Sequence, residues 1–320
     1  MTNPTVLVSH TVDAGYWSDI EALRAAVETR VPGVDLRVAH TPPETRELAG
    51  EADALLATHV PTDLLEAAPN LRWVQALSSG VDFLDTEAIA DHGVALTNAA
   101  GVHAEPIAEQ VIGYLLTFER GIHTGIQQQQ AGLWQRYSGG EVRGKTLGIV
   151  GIGAIGGRTA EYAQAFGMTV VGTKRDPDTA PKPVDEVYAP GGLFEVLRRS
   201  EYVLLSCPLT PETRGLVGRE KLGAMRGDAV LVNVARGAVV DEDALVYALQ
   251  QGGIRGAALD VFEAEPLPPE SVLWDLPNVV VTPHMAGSTP EKFERVAGVF
   301  AENYRAFADG RLEELRNRVV

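Results

Sequence analysis

A chain of 320 residues is longer than the usual single domain, and its apolar fraction of 45% is ample for two cores. Forty-three acidic against 27 basic side chains leave a net charge of -16, which argues against nucleic acid or an anionic membrane surface as partner. No apolar run reaches membrane-spanning length, the start Met1-Thr-Asn-Pro4 is not signal-like, and the single cysteine, Cys207, permits no intrachain disulfide, so a cytoplasmic protein is expected.

The bases are lopsided, with five lysines and 22 arginines. An acidic, lysine-poor surface suits concentrated salt, where a Debye length of about 3 Å screens self-repulsion. A GC-rich genome that replaces lysine by arginine for codon reasons is the alternative. The salt-adapted reading is favoured.

In chain order, residues 6–9, 34–38, 54–57, 73–77 and 94–96 read as strands. Helices are expected at 18–29, entered through a Ser18 cap, and at 85–91. This alternation describes a small parallel α/β domain. The turn Ser78-Ser-Gly-Val81 follows a strand's carboxyl end, where such sheets bind ligands, and its amides suit a carboxylate. An ordinary βα turn is the competing reading. From Gly101 the pattern changes to a long apolar helix beginning near Pro106, read as a crossover between domains that also packs on another subunit. Gln127–Gln130 either continues a helix or starts a loop toward Trp134.

Next comes Thr146-Leu-Gly-Ile-Val-Gly-Ile-Gly-Ala-Ile-Gly156, a short apolar strand and then Gly151, Gly153 and Gly156 in G-x-G-x-x-G spacing. A helix over 158–166 and a strand over 169–172 complete a dinucleotide-binding unit. Gly151 permits the tight turn, Gly153 lets a pyrophosphate approach the backbone, and Gly156 lets the helix pack on the strand. In NAD-binding units an acidic residue ends the second strand and takes the ribose hydroxyls. Here that place is Lys174, in Val171-Gly-Thr-Lys-Arg-Asp176, so NADP(H) is expected with Thr173, Lys174 and Arg175 on its 2'-phosphate. The rival is NAD(H), with Asp176 reaching back to the ribose and the basic pair merely solvated.

Strands buried on both faces are expected at 202–206, 229–234, 256–260 and 279–281. Cys207, at the end of the first, reads as a small buried residue. A helix over 241–250 has an acidic start suited to the helix dipole, and a last amphipathic helix covers 289–309. The result is α/β, with two Rossmann-like doubly wound parallel-sheet domains. Residues 1–100 form one, 101–288 the inserted cofactor domain, and 289–320 return to the first.

Three ionisable residues directly follow these strands: Arg236, Glu265 and His284. Reduction of a 2-oxo acid needs a cation for its carboxylate and carbonyl and a proton donor for the developing alkoxide. Arginine suits the first role and histidine the second, and a carboxylate beside the imidazole would raise its pKa. Singly, each reads as a surface or capping residue. Together at one sheet edge they form a testable triad.

The chain resembles the D-isomer-specific 2-hydroxyacid dehydrogenase family, glyoxylate/hydroxypyruvate reductases in particular. The likeness is carried by the glycine fingerprint, Cys207-Pro-Leu-Thr-Pro-Glu-Thr213, Leu231-Val-Asn-Val-Ala-Arg-Gly237, Gly256-Ala-Ala-Leu-Asp-Val-Phe-Glu-Ala-Glu-Pro266 and Thr282-Pro-His284. The resemblance implies that Arg236 binds substrate, that Glu265 and His284 form the acid/base pair, and that Ser79 and Gly80 offer amides to the substrate carboxylate. It implies that Asp260 contacts the nicotinamide amide. Further cofactor contacts are implied for Gly151, Gly153, Ala154, Ile155, Gly156, Cys207, Pro208, Thr213, Val234, Ala235, His284 and Gly287. It also implies a homodimer through the cofactor domains, and no metal is expected. Similar formate dehydrogenases have Gln in place of Glu265, which favours the hydroxyacid branch.

Two other readings stay open. Corepressors with this fold sense the cofactor, although this chain's acidity opposes DNA contact and no docking tail is expected. Phosphite-type dehydrogenases want extra positive charge, which the loop 78–82 does not bring. Phosphoglycerate dehydrogenase is weakened by the expected lack of an extra C-terminal domain.

Overall fold

Short apolar runs with a helix between each pair can only be closed into a sheet by crossovers, and the result here is two sheets whose pairings are all parallel. The computed structural model describes residues 3–14 and 19–320. The chain divides into two units, Met1–His103 with Ser288–Val320, and Ala104–Gly287.

The first unit holds β1 (Thr5–Val8), β2 (Asp35–Val38), β3 (Ala54–Ala57), β4 (Trp73–Ala76) and β5 (Ala95–Thr97), in the order β2-β1-β3-β4-β5. Its core is built round Trp73, fully buried and stacked on Phe300 with ring centroids 5.3 Å apart and an interplanar angle of 8°. Phe300 belongs to the helix Lys292–Ala308, the long helix expected over 289–309. A buried polar chain holds it down. Trp73 Nε1 donates to Thr97 Oγ1 at 2.8 Å, Thr97 donates to Gln75 Oε1 at 2.9 Å, and Asn303 Nδ2 donates to the same oxygen at 3.1 Å. Each member has a partner, as buried polar groups require. The helix Ile20–Arg30 is capped by Asp19, whose carboxylate accepts from the Ala22 amide. The expected Ser18 cap lies outside the described residues.

The second unit holds β6 (Thr146–Val150), β7 (Thr169–Thr173), β8 (Glu186–Tyr188), β9 (Tyr202–Leu205), β10 (Val230–Asn233), β11 (Gly256–Leu259) and β12 (Val279–Val281). Their order is β12-β11-β10-β9-β6-β7-β8, so the winding reverses between β6 and β9. That is the switch point at which open α/β sheets bind ligands. Three expectations need correction. The glycine helix begins at Ala154, not 158, because extended Gly153 already serves as its cap. The connecting helix begins at Ala104, with Pro106 in the first turn where its missing N–H costs nothing. β12 is only half-buried, because it is an edge strand. The run Gln127–Gln130 closes the helix Ile122–Gln130. Among the described residues no helix is long and apolar enough to cross a membrane.

Replacing Phe300 by Ala removes the stacked face of Trp73 and leaves a cavity. The first unit should lose about 3–5 kcal/mol of stability, read from urea unfolding followed by tryptophan fluorescence.

Candidate active site

Gly151 follows β6 with φ +95°, and a side chain there would meet the Cys207 backbone at 2.7 Å. The amides of Gly151 and Ile152 both donate to the carbonyl of Thr173, which fixes the turn against β7. Gly156 is closed in by the Gly151 carbonyl at 2.8 Å and by Ile149, so only a glycine lets the helix sit this near the strand. Gly153 is different: a Cβ there would meet nothing within 4 Å. As cap of the helix Ala154–Ala165 it has no side chain to satisfy the first-turn amides of Ala154, Ile155 and Gly156. Open space over orphan amides at a helix N-terminus fits a pyrophosphate.

Beside this turn lies a cavity of about 610 Å³ bounded by Gly151, Thr173, Lys174, Arg175, Cys207, Pro208 and Thr213, with apolar walls from Pro190, Leu193 and Leu216. Its dimensions and mixed lining suit the adenosine half of a dinucleotide. Lys174 Nζ donates to the Ile152 carbonyl at 2.8 Å, and Arg175 is exposed. One oxygen of the exposed Asp176, Oδ1, accepts from the Asp178 amide at 3.3 Å as the cap of a short 3-10 turn. Glu212, which the sequence did not single out, also lines the cavity. Its carboxyl is held below the usual range by the Thr210 hydroxyl first, with the charge of Arg175 a smaller contribution. Cys207 is buried, and burial pushes its thiol up to about 11, so it stays protonated. Thr213 Oγ1 accepts from the Thr210 amide at 2.7 Å and donates to the Pro208 carbonyl at 2.6 Å, closing that loop on itself.

The three expected catalytic side chains belong to this unit, each on the loop after its strand. Arg236 follows β10 in a turn braced by Asn233, whose Oδ1 accepts from the Ala235 amide and whose Nδ2 donates to the Arg236 carbonyl, both at 3.0 Å. Val234 and Ala235 beside it are buried. Gly237 lies directly against the next loop, where a Cβ would fall 1.8 Å from the carbonyl carbon of Phe262. Glu265 uses both oxygens: Oε1 accepts from the Phe262 amide at 3.0 Å and Oε2 meets His284 Nδ1 at 2.7 Å. Burial alone would lift the Glu265 pKa. The hydrogen bonds from His284 and Phe262, with the charges of His284 and Arg236, outweigh burial and hold the carboxyl below its ordinary value.

His284 answers in the opposite direction. Its pKa is raised, first by the hydrogen bond to Glu265 and then by the charges of Glu265 and Asp260, against the opposing effects of burial and Arg236. An ionised Glu265 only accepts, so Nδ1 carries the proton between them and Nε2 is left for the reacting oxygen. The imidazole is half exposed and its backbone has φ +49°, rare for a residue with a side chain. Asp260, 2% exposed, holds this turn: Oδ1 accepts from the Met285 amide at 3.0 Å and Oδ2 from the Ala286 amide at 2.9 Å. Its main-chain carbonyl takes the His284 amide at 2.8 Å. The sequence marked Asp260 for a cofactor contact and missed this anchoring. Gly287 is the last residue of the unit.

Ser79 and Gly80 lie in the first unit after β4. Asn98 Nδ2 donates to the Ser79 carbonyl at 2.9 Å and Ser78 Oγ to that of Gly80 at 2.7 Å, so side chains brace the turn. Among the described residues no group of acids, histidines and cysteines is arranged to hold a metal.

A family model described as the D-isomer specific 2-hydroxyacid dehydrogenase NAD binding domain matches residues 112–286. The chain belongs to the D-isomer specific 2-hydroxyacid dehydrogenase family. A glyoxylate reductase of Aeropyrum pernix is 41% identical over 289 residues, 85% of each chain. A D-3-phosphoglycerate dehydrogenase of Methanocaldococcus jannaschii is 37% identical over 88% of this chain, but only 54% of that protein is covered. A solved D-isomer specific 2-hydroxyacid dehydrogenase from Xanthobacter autotrophicus, in complex with NADPH, superposes with a TM-score of 0.85 at 31% identity, over 100% of this chain and 98% of that one. The protein is therefore an NAD(P)-dependent oxidoreductase of the 2-hydroxyacid dehydrogenase class, with two parallel-sheet α/β domains.

The two fingerprint glycines should separate folding from binding. Gly153→Ala is expected to keep the wild-type melting temperature yet lose roughly tenfold or more in dinucleotide affinity, ~1.4 kcal/mol, by fluorescence titration. Gly151→Ala, strained at positive φ and crowded by Cys207, should lose both.

Proposed function

We propose that the protein reduces a small 2-oxo acid to the D-2-hydroxy acid with NADP(H) preferred over NAD(H). The observation that carries the chemistry is the 2.7 Å contact of His284 Nδ1 with Glu265 Oε2, made by a carboxylate whose second oxygen is already held. When bound, the nicotinamide would supply or accept the hydride at C2 of the substrate. Arg236 grips the substrate carboxylate and polarises the 2-oxo group, with the amides of Ser79 and Gly80 as further carboxylate donors. His284 Nε2–H gives its proton to the oxygen as negative charge develops there. Glu265 keeps the imidazolium oriented and charged. In the reverse direction neutral His284 takes the alcohol proton. The first-turn amides of Ala154, Ile155 and Gly156 would hold the pyrophosphate, and Val234, Ala235, Asp260 and Gly287 would serve the nicotinamide end.

The cofactor preference rests on Lys174 and Arg175 at the cavity, in the place where an NAD-binding unit carries an acid. The NADPH complex of the similar Xanthobacter protein supports it. Glyoxylate heads the candidate substrates, since the Aeropyrum relative is a glyoxylate reductase. A homodimer is supported by the segment after the connecting helix. The helix Ile122–Gln130 buries none of its residues, and Ile122, Ile126, Leu133, Trp134 and Tyr137 are exposed, Trp134 at 94%. Such a patch suits a second copy.

Initial rates with NADPH and NADH on a panel of 2-oxo acids, with and without molar KCl, test the assignment and the salt-adapted surface together. Cofactor binding without reduction of any acid would hand the fold to the cofactor-sensing alternative. His284→Ala should keep dinucleotide binding and lose at least about 100-fold in turnover. Neutralising Lys174 and Arg175 should raise the KM for NADPH roughly tenfold or more while leaving NADH unchanged; equal effects on both cofactors would remove the 2'-phosphate assignment. Because reduction needs protonated His284, its rate should fall as pH rises through a pKa above the ordinary imidazole value of about 6.5. Glu265→Gln should move that limb to lower pH.

A further inference from the structure

The Asp260 anchor does not end at Asp260. Its Oδ1 also accepts from the hydroxyl of Thr282, two residues before His284. The same Thr282 oxygen meets the hydroxyl of Tyr114, from the helix Ala104–Arg120 and 168 positions away in the chain. Proton directions follow from chemistry. A carboxylate only accepts, so the single hydroxyl proton of Thr282 goes to Asp260, and the proton between Tyr114 and Thr282 must come from Tyr114. Tyr114 is 3% exposed. Burial raises its pKa, against hydrogen bonds with Thr282 and Gln110, so it remains a phenol able to donate.

We propose that Tyr114 and Thr282 are positioning residues for His284, a hydroxyl chain that locks the Asp260 carboxylate and, through it, the left-handed turn that aims the imidazole at Glu265. Neither touches the reacting atoms. Thr282 directly follows β12, an edge strand paired on one side only, and its amide donates to the Leu259 carbonyl at 3.0 Å. Tyr114 adds a side-chain constraint to this backbone bond, from a helix that packs across the unit's core. When the chain is cut, Asp260 keeps its amide donors and its main-chain bond to His284, but Thr282, which opens the turn, loses a side-chain tie. His284 Nδ1 then samples positions away from Glu265 Oε2, and the interaction that raises its pKa weakens. The charged groups facing His284 are Glu265, Asp260 and Arg236, and substitutions at Tyr114 or Thr282 alter none of them.

The inference rests on His284 as the acid/base group, so its test includes a readout that does not need turnover. The imidazole C–H resonance of His284, assigned by its disappearance in His284→Asn, is titrated by NMR in wild type, Tyr114→Phe, Thr282→Val and Thr282→Ser. Expected are a His284 pKa displaced toward about 6.5 in Tyr114→Phe and Thr282→Val, and a kcat lowered roughly tenfold with cofactor KM little changed. Thr282→Ser, which keeps the hydroxyl, should restore both. An unchanged His284 pKa in both Tyr114→Phe and Thr282→Val overturns the proposal, and does so even if their melting temperatures fall, since that pattern belongs to packing alone. Full turnover by His284→Ala would instead sink the catalytic assignment, while the titration would still decide whether the hydroxyl chain sets the imidazole.

Discussion

In an all-parallel sheet every strand ends at the same edge, and that constraint organises this protein. Gly151 after β6, Lys174 after β7, Cys207 after β9, Arg236 after β10, Asp260 and Glu265 after β11, and His284 after β12 are far apart in the chain. They share one sheet edge because parallel pairing leaves no other place for the loops that follow the strands. The loops that follow the central strands meet where the winding reverses, and the glycine turn stands there. Chemistry is thus positioned by the backbone ladder before any side chain contributes.

Two buried carboxylates then hold opposite edges of this sheet. At the carboxyl edge Asp260 gathers the amides of Met285 and Ala286. At the other edge Glu119, 3% exposed, sits among Tyr202, Lys145 and Arg255, residues that open or directly precede β9, β6 and β11. Burial would raise the Glu119 pKa, but the Tyr202 hydroxyl and the two cations overcome it and keep the charge. A buried charge is tolerable only with such a full set of partners. Each carboxylate joins elements that the ladder alone leaves unlinked: the His284 turn at one end, the end of the connecting helix at the other.

What the sequence disclosed followed the range of the forces involved. The glycine spacing at Gly151, Gly153 and Gly156 is local, and so were the strand-to-loop positions of Arg236, Glu265 and His284; both could be read along the chain. β8 was missed because three residues, Glu186–Tyr188, half-buried at a sheet edge, make no apolar run. β12 was expected to be buried on both faces because Val279–Val281 is wholly apolar, yet composition cannot report that a strand lies at an edge. Tyr114 resembled any aromatic on an apolar helix face. Its hydroxyl acquires meaning only beside Thr282, a proximity that no periodicity encodes.

The contact of Gly237 with the Phe262–Glu263 backbone has a consequence for how such an enzyme can diversify. With no room for even a methyl group between them, the arginine loop and the glutamate loop form one mechanical piece. The backbone segments that carry Arg236 and Glu265 therefore cannot shift independently of each other. Any divergence between relatives that keep this junction has to come from parts of the molecule that it does not bind.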